Sequence, residues 1–414
     1  MSVDLTALRA LAQTRWIPFI AAICEDFPRR VAGSRSEREA QERLRAEYDR
    51  LGFQTTLQPF EWNESLYAVL ALHFGLAVAA TAALLLGAPW LALLGHGLAA
   101  LSYAADSHRR ALVLRRWFDP VGSQNLIATR PAPSGPPRLR LVLVSHADAA
   151  FTGWLFHPTM IRMSTREPPV AALRFMRKGL LVATGSVALL AGLDLAAGFG
   201  LNPPVWLVGL LTVPAAAAFA LNLQVVLRDE VVPGANDNLT GCVGCLHLAE
   251  RLAPDLPDDV ELVCVSTGAE EAGTGGAFRL AQQMATRWDR ASTVVLGLDG
   301  LSNGRPFWFR EGELRAERPP AWMEAACARA VETDLAFEGI GPFDLPVGAT
   351  DSLPFLVAGY DALTVGTVDP EIGAPRGYHR PADTPEALDA GELALGLAFA
   401  EAVAREFIAE RAPR

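Results

Sequence analysis

Lysine is almost missing from this chain: Lys178 stands alone among many arginines in 414 residues. With the abundant alanine, that composition points to a GC-rich, bacterial coding sequence. Charge of either sign is scarce, at 20% of residues, while apolar residues reach 51%. At that balance part of the chain need not face water. The net charge of −10 argues against nucleic acid as the main partner. Cysteine is sparse as well. Cys24, Cys242, Cys245, Cys264 and Cys327 are odd in number and scattered, which argues against a disulfide framework and fits a reducing compartment. Cys242 and Cys245 form a C-x-x-C pair, but no second pair completes a zinc site, and small residues on a helix packed against a sheet account for them. A signal peptide is not expected, because Asp4, Arg9 and Arg15 interrupt Met1 to Ile23.

What is present begins with a helix over 3–24, its leucines and isoleucines on one face. Ser34 or Ser36 can cap a second helix, Glu37 to Leu51, which stops at Gly52. A strand is expected from Phe53 to Trp62 and another at Asn125–Ala128. From Leu139 onward strands and helices alternate: strand to Ser145, helix 239–254, strand 260–266, helix 274–288, strand 293–298, helix 320–332, strand Ala362 to Gly366 and a closing helix Pro385 to Glu410. Arg305 to Arg310 reads as a loop. This pattern predicts an α/β fold, a mixed, mostly parallel sheet sandwiched by helices.

Two apolar pairs interrupt it. Leu66 to Leu86 and Trp90 to Ala105 carry no formal charge, and Gly179 to Gly200 carries only Asp194; Val205 to Leu227 carries none but contains Pro214. Alanine richness, the short second segment, Asp194 and Pro214 favour buried core helices, since a mid-bilayer aspartate costs about 2.5–3.5 kcal/mol. The hairpin layout favours a membrane. The turns at 87–89 and 201–204 lack Lys and Arg, whereas Arg109, Arg110, Arg115, Arg116, Arg174, Arg177, Lys178 and Arg228 flank the other ends. The expectation is two transmembrane hairpins in a multi-pass inner-membrane protein, a lipid bilayer as partner and the catalytic domain on the cytoplasmic side. The corresponding division is 1–62 (start of the catalytic domain), 63–108 (first hairpin), 109–178 (strands with His146), 179–228 (second hairpin) and 229–414 (the remainder).

Chemistry-bearing residues sit at the ends of the apolar strands. His146-Ala147-Asp148 ends the first of the alternating strands, Gly268-Ala269-Glu270-Glu271 the second and Asp299 the third, where open α/β sheets build their sites. Asp237 lies on the turn Gly234-Ala235-Asn236-Asp237-Asn238, and His379 comes late in Gly377-Tyr378-His379. His146, Asp237, Glu271, Asp299 and His379 offer imidazole and carboxylate ligands suited to Zn²⁺, and also to Mn²⁺ or Co²⁺. Five ligands exceed one tetrahedral zinc with an open position and fit two metals if a carboxylate bridges; Asp237 is well placed to do so. Glu270 is a candidate proton acceptor, Asp148 a partner for the second N–H of His146, and Tyr378 a donor to a developing oxyanion.

These motifs together resemble the M28 family of zinc aminopeptidases. The late motif extends from Tyr378 to Thr384, and softer matches are Phe27-Pro28-Arg29-Arg30-Val31-Ala32-Gly33-Ser34, Asn125–Ala128, and Asp351 with Pro354-Phe355. The resemblance covers about 1–62, 121–150 and 229–410. It implies that His146 and Asp299 bind one zinc, Glu271 and His379 the other, that Asp237 bridges, and that Glu270 is the general base. Two departures stand out: roughly 88 residues separate Asp148 from Asp237, and Ala149 stands where serine is usual. The long connection puts Phe151 to Arg177 where it can cover or shape the cleft, with His157 a candidate lining residue. His247 reads as an ordinary packed or surface histidine, His73 and His96 as helix–helix hydrogen-bonding or interfacial groups without a paired acid, and Asp351 as a metal-surround residue or a helix cap. The expected function is hydrolysis of N-terminal residues from peptides. Alternatives are a related metal-dependent amidohydrolase, a carboxypeptidase, or a non-catalytic scaffold of the same fold, this last disfavoured by an intact ligand set. Oligomeric state is not legible.

Overall fold

The computed structural model describes residues 3–165, 170, 177–346 and 348–411; Arg174, Val347 and most of 166–176 lie outside the described residues. The chain opens with α1 (Leu5–Leu11) and α2 (Ile17–Asp26), joined by a wider helical turn over Ala12–Trp16. The single helix expected over 3–24 is thus two helices with that turn between them. α3 (Arg35–Arg50) follows, and Ser34 caps it by accepting the Glu37 amide at 3.0 Å. Next come β1 (Gln54–Trp62), α4 (Leu66–Leu85), α5 (Pro89–Ser107), β2 (Val121–Arg130), β3 (Leu139–His146), α6 (Pro158–Thr165), α7 (Gly179–Gly198) and α8 (Val205–Arg228). The remainder is α9 (Gly241–Leu252), β4 (Val260–Thr267), α10 (Gly275–Met284), β5 (Thr293–Asp299), β6 (Arg305–Arg310), α11 (Ala321–Glu332), β7 (Pro342–Asp344), α12 (Ser352–Val357), β8 (Asp361–Val368) and α13 (Ala390–Glu410).

Among the described residues eight strands form one mixed sheet in the order β1-β2-β4-β3-β5-β8-β6-β7. The central pairs β4–β3, β3–β5 and β5–β8 are parallel; β1–β2, β2–β4 and β6–β8 are antiparallel. Alternate residues of the central strands pack on opposite faces, as the period of two requires. Leu139, Leu141 and Leu143 of β3 join Leu262, Leu296 and helices α9 and α13 in the larger core. Val142 and Val144 join Val263, Val265, Val295 and helix α10 on the other face. Burial on both faces explains the near-continuous apolar runs.

Arg305–Arg310, expected as a loop, is strand β6. Proline is unfavourable inside a sheet, but β7 pairs only with Trp308 to Arg310, so at Pro306 the strand has a neighbour on one side alone and needs no second ladder bond there. The last helix starts later than expected, at Ala390, where the Asp389 carboxylate caps it by accepting from Gly391 and Glu392.

The two expected hairpins instead build one bundle: α4 packs on α8 and α5 on α7, as well as each on its hairpin partner. By length and composition α4, α7 and α8 are apolar enough to cross a membrane; α5 falls short, carrying His96, Ser102, Asp106 and Ser107. Outer positions such as Leu86, Leu101, Val205 and Trp206 are exposed. Inside, His73 Nε2 lies 2.9 Å from Ser102 Oγ, a helix–helix hydrogen bond as expected. His96 differs from expectation in having a paired acid: Nδ1 lies 2.6 Å from Asp194 Oδ2 and Nε2 3.1 Å from Thr81 Oγ1. The partner lies 98 positions away on α7, out of reach of local sequence reading, and it gives Asp194 a reason to be buried.

Candidate metal centre

The C-terminal ends of β3, β4 and β5 lie side by side, because β3 pairs with both β4 and β5 in the same direction. Chain reversal at β3 makes this edge the natural crevice of the sheet. β3 ends in His146, β5 ends in Asp299, and the loop after β4 carries Glu270 and Glu271.

The turn bearing Asp237 is tied down on every side. Asp383 accepts from the Asn236 and Asp237 amides at 2.8 and 3.1 Å. Asn238 donates to the Leu298 carbonyl at 2.8 Å and accepts from Gly241 and Gly300. A β-carbon at Gly241 would collide with the Asn238 side chain and the Leu298 carbonyl, so only glycine lets the turn sit against β5.

The loop after β4 is held by two buried acids. Asp148, fully buried, accepts from the amides of Glu270 and Glu271 at 3.1 and 3.0 Å, and one of its oxygens lies 3.4 Å from His146 Nδ1. Glu37 accepts from the Ala269 amide at 2.9 Å and from Ser123. Burial and the Asp148 charge push the Glu37 carboxyl up to about 8.

At the centre, Asp237 turns its two oxygens to different histidines. Oδ1 lies 3.3 Å from His146 Nε2; Oδ2 lies 3.1 Å from His379 Nε2. Glu271 Oε2 is 3.3 Å from His379 Nε2 and Glu270 Oε2 is 3.7 Å from His146 Nε2. Ligand-type atoms of His146, Asp237 and Glu271 lie within 4.8 Å of one another. Asp299 lies close enough for burial and the Asp237 charge to hold its carboxyl well above the usual range. Tyr378 stacks on His379 with ring centroids 4.0 Å apart.

The electrostatics fit a cation site. Burial alone would lower both histidines, yet the surrounding acids outweigh it. His146 is held well above the imidazole range, chiefly by the Glu270 charge and by hydrogen bonds to Asp148 and Asp237. His379 is raised to about 10, with Glu271 the strongest of the acids raising it. Burial, then the charges of Glu271, Asp351 and Asp299 against that of His146, push Glu270 well above a normal carboxylate. For Asp237 burial pulls the other way and loses: hydrogen bonds to His146 and His379 keep its pKa below the usual range. For Glu270, Glu271 and Asp299 burial works against the charged form, and a cation among them would favour it. Glu271 Oε1 is also buried without a hydrogen-bond partner among the described residues, a free acceptor directed at no protein donor. Two imidazoles and three carboxylates in a buried crevice therefore fit the zinc that the sequence motifs imply.

Other predicted residues fall elsewhere. His247 is buried beside Trp16, in edge-on contact, and burial lowers it to about 4. His157 is exposed and accepts from the Thr159 amide; it does not line the centre. Its neighbour Phe156 does, with its ring centroid 4.5 Å from that of His379. Asp351 accepts from Thr267 Oγ1 at 2.6 Å and makes no cap bond, so it belongs to the surround. All five cysteines are free, and Cys242 donates to the His146 carbonyl at 3.1 Å.

Sequence reading gave no role to Glu37, Asp383, Arg30 or Tyr67. Arg30 and Asp383 stand within motifs that could have flagged them; Glu37 and Tyr67 had no such signal.

A family model described as Peptidase family M28 matches residues 223–403. Over 185 residues, 42% of this chain and 39% of the relative, the sequence is 29% identical to aminopeptidase YwaD of Bacillus subtilis (strain 168). Over 163 residues it is 30% identical to the alkaline phosphatase isozyme conversion protein of Escherichia coli (strain K12), with 37% of this chain and 46% of the relative covered. The chain thus matches less than half the length of either. Among solved structures the fold is similar to a zinc aminopeptidase from Bacillus subtilis, at TM-score 0.54 and 13% identity, over 95% of this chain and 94% of that one. It is equally similar to glutaminyl cyclase of Fimbriiglobus ruber, at TM-score 0.53 and 13% identity, over 98% and 96%. The fold is thus zinc-peptidase-like. These findings correct the expected localisation. Structures resembling this chain over nearly its whole length are described as aminopeptidases and glutaminyl cyclases, not as multi-pass membrane proteins. The apolar hairpins misled because four apolar segments with basic flanks read the same whether they meet lipid or one another.

Proposed function

We propose that this chain is a metallo-aminopeptidase that removes N-terminal residues from peptides at a two-zinc centre. The observation that carries the reading is the division of the Asp237 carboxylate between His146 and His379, 3.3 and 3.1 Å from its two oxygens. That is the posture of a bridging ligand. His146 and Asp299 would complete one metal position, Glu271 and His379 the other. The M28 match over the C-terminal part and the aminopeptidase relative support the same reading.

Bound zinc supplies Lewis acidity and lowers the pKa of water at the centre towards neutrality. The chain's own groups do the rest. Glu270, beside His146 and on a loop fixed by Asp148, accepts a proton from water and delivers it to the leaving amine. Asp148 holds the His146 ring in orientation. Tyr378 donates its hydroxyl to the oxyanion that develops on the scissile carbonyl.

The test is zinc content per chain for the wild type and Asp237→Ala, with release of aminoacyl-nitroanilides measured on the same samples. About two zincs per wild-type chain, lost together with activity in the variant, is the expected result. Zinc without aminopeptidase activity would refute the substrate assignment. Likeness to glutaminyl cyclases is of fold alone, and a peptide with N-terminal glutamine, assayed for ammonia release, separates that chemistry. A wild-type chain that takes up no zinc would leave a non-catalytic scaffold.

A further inference from the structure

We propose that Tyr67, a residue of the helical insert, is a positioning residue for His379. The assignment rests on the metal-centre reading. Tyr67 is the second residue of α4, outside every stretch that resembles the peptidase family, and 312 positions from His379. Its hydroxyl oxygen nevertheless lies 3.3 Å from His379 Nδ1.

Which ring nitrogen is engaged matters. Nε2 of His379 faces Asp237 and Glu271, so Nε2 is the nitrogen available to a cation. A neutral imidazole that gives one nitrogen to a metal carries its proton on the other. Nδ1–H then donates to the Tyr67 oxygen, which fixes the tautomer and the ring plane. The His379 backbone sits at φ +50°, a conformation that non-glycine residues adopt only when their surroundings impose it.

The surroundings are those of a built contact. Tyr67 is 4% exposed. It packs in an apolar cluster with Val31, Phe151, Phe156 and Val225. Phe156 lies edge-on to Tyr67, with centroids 5.9 Å apart, and tilted against His379 at 4.5 Å. Ring and hydroxyl therefore grip the histidine from two sides. The elements involved are α4, α8, the segment after β3 and the loop before α3, two of them bundle helices, so the bundle supplies part of the wall of the metal centre.

Tyr67→Phe tests this directly, since it removes one oxygen and leaves the ring packing in place. The variant is compared with wild type in zinc retention against a competing chelator, in the melting temperature of the metal-free protein, and in kcat and KM on an aminoacyl-nitroanilide. Zinc affinity about 10–100-fold weaker is expected, with kcat reduced, KM within twofold and metal-free melting unchanged. In a His379→Ala background the Tyr67→Phe change should have no further effect on zinc, because the partner is gone. Zinc retention and kcat equal to wild type would refute the assignment, as would an equal loss of affinity in the His379→Ala background. Lower melting of the metal-free form without weaker zinc binding would make Tyr67 purely structural and refute it too. A wild-type chain that binds no zinc refutes the metal-centre reading itself; one whose zinc affinity survives Tyr67→Phe refutes only this assignment.

Discussion

Asp148→Asn changes one atom of a buried side chain and should disturb both metal binding and the loop that carries the acids. The native carboxylate is acceptor-only. It takes the Glu270 amide at 3.1 Å and the Glu271 amide at 3.0 Å, and an oxygen stands 3.4 Å from His146 Nδ1. Asparagine keeps one acceptor oxygen and puts an NH₂ group in place of the other, so one of the two amides then faces a donor. A buried amide left unpaired costs about 1–3 kcal/mol. Loss of the carboxylate behind His146 should weaken zinc binding by about 10–100-fold, or about 1.4–2.7 kcal/mol. Chemical denaturation of the metal-free protein reads the first effect and chelator competition the second. Both should move. The Asp148 backbone carbonyl, 3.3 Å from His146 Nδ1, is unchanged in this variant, so if zinc affinity stays within twofold of wild type while the protein remains folded, the Asp148 carboxylate does not orient His146 and the reasoning fails.

Other expectations follow from the same geometry. Glu270→Gln should keep zinc and lose about 10²–10⁴-fold in kcat, the usual worth of a positioned acid–base group; undiminished turnover would remove Glu270 from the chemistry. Asp106 and Arg115 form a buried two-point pair at 2.8 and 2.9 Å, and Arg115 also donates to the Ala272 carbonyl beside the acidic loop. Asp106→Ala strands a buried guanidinium and should cost about 3–5 kcal/mol in denaturant titration; a loss below about 1 kcal/mol would contradict the burial argument. Without metal, pH should act in a defined sense. Burial, with the charges of neighbouring acids, raises Glu37 to about 8 and Asp351 and Asp383 to about 7. Raised carboxyl pKa values contribute stability that is complete below the unfolded values near 4 and is lost as pH rises through 7–8. The metal-free protein should therefore melt higher at pH 5 than at pH 9, and the reverse order would contradict these assignments.

How much could be read in advance depends on distance along the chain. The central strands were legible because their apolar runs are short and bounded by glycine, proline and acids, and β3, β4 and β5 appear within a residue or so of expectation. The candidate ligands were legible because each ends a strand or sits on a glycine-rich turn. What escaped depends on contacts between remote segments. Glu37 meets Ala269 across 232 positions, His96 meets Asp194 across 98 and Tyr67 meets His379 across 312. No periodicity or spacing reports such meetings, since each is decided by which surfaces the sheet brings together. The strand at Arg305–Arg310 also escaped; it contains Pro306, which a strand tolerates here because that position pairs on one side alone.

Arg30 shows how the long detour between Asp148 and Asp237 can be absorbed without losing the centre. Its guanidinium is fully buried and has no carboxylate partner among the described contacts. Nε donates to the Ala147 carbonyl at 2.9 Å, before the detour. Nη2 donates to the Pro233 and Gly234 carbonyls at 2.7 and 3.2 Å, after it, and Nη1 to Phe27 at 3.1 Å. The Arg30 carbonyl also accepts the Ala149 amide at 3.0 Å. One planar fork thus clamps both ends of the inserted segment, so the strand end carrying His146 and the turn carrying Asp237 keep their places whatever lies between. Lysine cannot reproduce this, because its donors radiate from a single nitrogen and cannot span carbonyls on separate segments. Each charge-assisted bond contributes about 1.5–3 kcal/mol, and the bonds are not additive, so Arg30→Lys should lose roughly 2–4 kcal/mol of stability and zinc affinity with it. Arg30→Ala should do at least as much damage through unpaired carbonyls. Denaturation of the metal-free proteins and chelator competition, run side by side, give the two readouts. If Arg30→Lys matched wild type in both, the two ends would be held by the surrounding packing alone, and the clamp would play no part in assembling the centre.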